Sequence, residues 1–200
     1  MEQIALKQIS KPSNFQHLYQ TASRLAAKHC NGSYQQARRQ RSRMLAILYT
    51  NQQVSRSALL HLVQVCACSR KTAVSYGFQQ GIRSAAYANQ GITISHFDAF
   101  LPALCSRQKG SEAAEYWNQR GHILSLENNM KKSLSPTLQN VLSAYLEAED
   151  DLLTAESHCG YMAGWQAGSL TAIARNPLSP ISSTSHNLFL SRYFMDLSTT

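Results

Sequence analysis

Four guanidinium groups fall within six residues at Arg38-Arg39-Gln40-Arg41-Ser42-Arg43, a density suited to phosphate contact. Arg presents a planar fork of donors that meets two phosphate oxygens at once. On a helix Arg39 and Arg43 share one face and Arg38 and Arg41 another, so two flanks of a phosphate backbone come within reach. Short Arg/Gln-rich stretches are also common as solvated helix faces, and both readings stay open on sequence grounds. Tyr34 and Tyr49 stand too far along the helix to form a platform for stacked bases, which disfavours single-strand recognition.

A second polyanion candidate is the segment 59–78, LLHLVQVCACSRKTAVSYGF. Laid on the twenty-position helix-turn-helix pattern, its apolar positions become Leu62, Cys66, Cys68, Ala73 and Tyr76, with Ala67 at the tight turn. Ser69 then caps a second helix and turns Arg70, Lys71, Thr72 and Ser75 toward a groove. The segment resembles the start of repressor headpieces, in which a Ser-x-x-Thr-Val-Ser stretch opens the reading helix, and the resemblance implies duplex DNA as the ligand. Two departures are visible: Val63 stands where the pattern prefers Ala, and Thr72-Ala73-Val74-Ser75 carries one extra residue.

Motifs of catalysis are missing: there is no phosphate loop, no G-x-S-x-G elbow and no paired-carboxylate motif, so a non-enzymatic protein is expected. Glu147, Glu149, Asp150, Asp151 and Glu156 fall on one predicted helix and read as its solvated side. The odd set of five cysteines, Cys30, Cys66, Cys68, Cys105 and Cys159, predicts reduced thiols, most of them buried as small hydrophobes. Cys66-Ala67-Cys68 is too close for a zinc half-site, and the seven histidines form no H-E-x-x-H pattern. No metal or cofactor is therefore expected, although a histidine cluster formed only in space stays open.

Helix-compatible patterns dominate the elements that must position these groups. A first helix with Phe15, Leu18, Tyr19, Ala22, Leu25 and Ala26 inward follows a cap at Ser13 or Asn14 and ends near Asn31-Gly32. A second runs from Ser33 through the arginines to Tyr49, a third from Ser55 to about Val65, and a fourth from Ser69 to about Ala88. A capped helix follows Ser95, and residues 106–110 read as a linker. The next helix spans Ser111 to about Lys132, and Ser135-Pro136 opens a long one reaching Ala174. The expected class is all-α in two helical halves: a basic domain over 1–108, an acidic one over 111–176, and a Ser/Thr-rich tail over 177–200.

Charge follows that division. The chain of 200 residues carries a net +8, but residues 1–110 hold 14 Lys+Arg against 2 acids, whereas residues 111–200 hold 5 against 9. The first half suits a polyanion and the second does not, unless the two neutralise each other internally. No apolar run of about 20 residues spans a bilayer, and the start MEQIALKQISKPSNF shows no secretory signal, so a cytoplasmic protein without membrane association is expected.

Gly160, Gly164 and Gly168 recur every four residues and clear one helix face of side chains. The same stripe occurs 87 positions earlier as Ala73, Gly77, Gly81 and Ala85, with Phe78 and Trp165 in register, which suggests a weak internal repeat. Such faces can pack on each other, or on a second copy of the chain as a homodimer. Tyr145 to Leu170, with Tyr161 and Trp165 beside the glycines, resembles the ending of small uncharacterised helical proteins of Firmicutes genomes and their mobile elements. Their last helix carries F-x-x-G-F-x-x-G-x-x-L. That resemblance implies an all-helical architecture and a mobile-element or phage setting, without a mechanism. Two functions are expected from these features: a DNA-binding regulator, or a protein-directed inhibitor or adaptor of the anti-CRISPR type that engages a nucleoprotein complex.

Overall fold

The computed structural model describes residues 12–29, 31–88 and 111–175, all of which lie in helices or the two short turns between them. Five helices follow in order: α1 (Pro12–His29), α2 (Asn31–Thr50), α3 (Arg56–Ala88), α4 (Ser111–Lys131) and α5 (Pro136–Arg175). The all-α expectation holds, with no strand among the described residues. The capped helix expected after Ser95, the 106–110 linker and the 177–200 tail lie outside those residues.

Two hairpins, α2–α3 and α4–α5, are built on the same turn. Val54 and Leu134 are buried just ahead of Ser55 and Ser135. In each turn the buried residue's N–H returns to the carbonyl three back, Val54 to Asn51 at 3.2 Å and Leu134 to Lys131 at 3.4 Å. Ser55 and Ser135 then accept the first helical bond, from Leu59 and Gln139, both at 2.9 Å. Pro136 occupies the first helical position, where its missing N–H costs nothing.

The long helices α3 and α5 run parallel at the centre. Their glycine stripes face each other: a Cβ on Gly160 would lie 2.7 Å from the Val74 carbonyl oxygen, one on Gly168 2.8 Å from the Ala85 Cβ, and one on Gly81 2.7 Å from the Trp165 amide nitrogen. Gly164 lies against the Phe78 backbone in the same way. Residues 80 to 86 apart stand opposite one another, from Gly81 with Tyr161 to Val74 with Gly160 and Phe78 with Gly164, so the 87-residue spacing of the stripes lies close to the packing register of the two helices. Glycine in a helix costs about 1 kcal/mol relative to Ala, and close backbone contact is what repays it here.

Each short arm crosses to the other hairpin: α2 packs antiparallel on α5, and α4 on α3, while α1 lies mainly against α5. Core clusters mix the two halves. Leu48, Leu59 and Leu62 pack with Ile123, Leu142 and Tyr145, and Ala22, Ala26 and Tyr34 pack with Leu152 and Cys159. The halves expected as separate domains therefore share one interior. None of the described helices is long and apolar enough to cross a membrane.

α3 corrects the helix-turn-helix expectation, because it is one continuous helix through Ala67. Leu59, Leu62, Cys66, Ser69, Ala73, Gly77, Gly81 and Ala85 are all buried at three- and four-residue spacing on its inner face. A turn at Ala67 would rotate one half of that stripe out of the core, so Ser69 is an interior residue and not a cap.

Candidate nucleic-acid interface

α2 sorts its arginines by spacing. Tyr34, Ala37 and Leu48 are buried, and Arg41 lies on the same inward line, whereas Arg38, Arg39 and Arg43 project outward and are exposed. Neither α1, α2 nor α3 contains an acidic residue, so nothing within these helices neutralises the exposed guanidiniums. Arg39 and Arg43, together with Gln35, Gln36 and Gln40, line a concavity of ≈ 740 Å³ along α2. Guanidinium and carboxamide donors in one groove can hydrogen-bond phosphodiester oxygens and base edges.

Arg41 and Arg70 serve elsewhere. Arg41 ion-pairs through its Nε with Glu149 Oε1, and Arg70 Nε stands 3.0 Å from Glu149 Oε2 and its terminal nitrogen 3.5 Å from Glu156 Oε1. Tyr145 donates its hydroxyl to Glu149 at 2.8 Å, while Tyr34 and Ser23 donate to Glu156 at 2.7 and 3.1 Å. Burial opposes the charge of both arginines, yet the hydrogen bond and negative charge of Glu149 on Arg41, and the charges of Glu149 and Glu156 on Arg70, hold both guanidiniums above their ordinary value. Burial and the facing carboxylates also raise the Tyr34 and Tyr145 phenols. This polar layer ties α1, α2 and α3 to α5.

Two expectations change here. Glu149 and Glu156, read as part of a solvated face, are only 3% and 1% exposed. Their positions were visible in the spacing, since Leu142, Tyr145, Glu149, Leu152, Glu156 and Cys159 alternate steps of three and four along one face. Arg70, read as facing a groove, is buried at 9% exposure and paired. Of the other residues assigned to that reading head, Lys71 is exposed and Thr72 and Ser75 are half-buried.

Cys66 and Cys159 are buried and Cys68 exposed, all as free thiols, and burial pushes the Cys66 thiol up to about 12. Burial likewise lowers the His158 imidazole to about 4. No group of three or more His, Cys, Asp or Glu side chains gathers among the described residues. In comparisons with family models, curated proteins and solved structures, nothing matches this chain.

Proposed function

We propose that the chain is a non-enzymatic nucleic-acid-binding protein that grips duplex DNA through the outer face of α2, acting as a regulator of mobile-element origin. The observation that carries this is the sorting of the arginine cluster. Arg38, Arg39 and Arg43 stand exposed on a helix without acids, while Glu149 and Glu156 pair with Arg41 and Arg70 inside the bundle. Lys71 adds a further exposed cation on α3. Contacts of this kind neutralise phosphates and bind across sequences, and the glutamines of the α2 groove offer a modest base preference. The glycine faces on which a protein-directed role was based pack on each other at Gly81, Gly160, Gly164 and Gly168.

Binding of a duplex measured at several salt concentrations tests the proposal. Three phosphate contacts predict a log–log slope near about −2.7 from these arginines alone. The triple variant Arg38/Arg39/Arg43→Ala should lose that share of the slope and weaken binding evenly over unrelated sequences. Duplex affinity unchanged in the triple variant, or no retardation of duplex at low salt, would sink the proposal.

A further inference from the structure

His61 on α3 and His122 on α4 come from segments far apart in the sequence, yet their rings meet edge to face, with centroids 6.1 Å apart and planes at 79°. Both residues are exposed, and no hydrogen bond or ion pair joins either ring to another described residue. We propose that these two imidazoles bind one divalent transition-metal ion across the α3–α4 seam, with water completing its coordination.

Geometry brings the pair close to that state. Metal–nitrogen bonds are about 2.0–2.1 Å and each ring centre lies about 1.1 Å beyond its nitrogen, so two imidazoles on one ion hold their centres about 5 Å apart at a tetrahedral angle and about 6.4 Å apart when opposed. The observed 6.1 Å falls inside that interval, and exposed side chains reach it by rotation about χ1 and χ2 without moving either helix. No Asp or Glu lies within one turn of His61 or His122 on its own helix: the polar residues three or four positions away are Ser57, Gln64, Asn118, Gln119 and Ser125. A site of two neutral nitrogens and water selects ions that favour imidazole, in the order copper above zinc and nickel, and rejects magnesium and calcium, which require carboxylate or carbonyl oxygens.

The position gives such an ion a structural consequence. α4 packs chiefly on α3, and its ion pair to α5 among the described residues, half-buried Arg120 with exposed Asp150, lies at the surface. An ion shared by His61 and His122 therefore staples α4 to the central pair.

Calorimetric titration of the full chain with Cu²⁺, Ni²⁺ and Mg²⁺ tests this, with Cu²⁺ spectra reporting the number of coordinated nitrogens. The expected result is one Cu²⁺ and one Ni²⁺ site per chain, no Mg²⁺ site, two nitrogens on copper, and a loss of at least tenfold in affinity in both His61→Ala and His122→Ala. Because both residues are exposed, these variants should retain the helical spectrum of the parent, and His61→Asn provides a second, polar replacement. Ni²⁺ should raise the melting temperature of the parent and leave both variants unmoved. A one-to-one site that survives in either variant, or the absence of Ni²⁺ and Cu²⁺ binding in the parent, overturns the proposal.

Discussion

Glu149 illustrates how one buried side chain serves several elements. It holds Arg41 of α2 and Arg70 of α3 while accepting the Tyr145 hydroxyl, so its loss takes the ion pair from half-buried Arg41 and leaves buried Arg70 facing Glu156. Breaking one partner of a buried pair costs about 3–5 kcal/mol, because the charges left behind cannot return to water. Glu149→Gln should therefore lower stability in urea by about that much. Asp150→Asn, one residue along, removes an exposed partner of Arg120 and should cost no more than about 1 kcal/mol. His158 contributes a pH dependence of defined sign. The folded protein keeps its imidazole neutral down to about 4, whereas the unfolded chain takes up a proton near 6.5. Stability should hold above pH 6.5 and fall, on the order of 3 kcal/mol in all, as pH drops from 6.5 toward 4; His158→Gln should flatten that slope in denaturation curves at pH 7 and 5. At this scale the exposed arginines were legible from type and density. The inward turn of Arg41 and Arg70 was not, because the carboxylates that hold these guanidiniums inward lie over 70 residues away in the chain.

At the scale of the element, glycine position decides what the helices tolerate. A side chain on Gly164 must displace the Phe78 backbone, so Gly164→Leu should cost at least about 3 kcal/mol and separate α3 from α5. Gly121 has nothing within 4 Å of its would-be Cβ, and Gly121→Ala should stabilise the protein by about 1 kcal/mol through helix propensity alone. Thermal melts of the two variants should thus move in opposite directions. Periodicity and capping signals located α1, α2, α4 and α5 to within a few residues, because Pro12, Asn31-Gly32 and Ser135-Pro136 act locally. α3 was divided in two for the same reason: Ser69 carries a cap's chemistry, and only the unbroken buried stripe from Leu59 to Ala85 overrules it. The match between stripes was also visible in the sequence, although its meaning as a contact register required knowing that α3 and α5 run parallel.

For the molecule as a whole, the contrast between a basic and an acidic half becomes a matter of inside and outside. Part of the acidic half's charge is spent within the bundle on Arg41 and Arg70, and the basic surplus that remains is displayed on helices without acids. The crossed arms carry a consequence for assembly. Because α2 finds its partner in α5 and α4 in α3, a hairpin made alone lacks the surface that would cover its apolar side. A chain cut between 88 and 111 should yield two fragments that are each poorly helical, and that regain the parent's circular dichroism spectrum when mixed at equal concentration. Recovery should be second order in fragment concentration and slowed by salt, since the opposite charges of the two pieces guide their encounter. In the intact chain the same crossing means that synthesis of the first hairpin leaves an open apolar face waiting for the second, so the nascent first half is the stage most exposed to aggregation and to capture by chaperones.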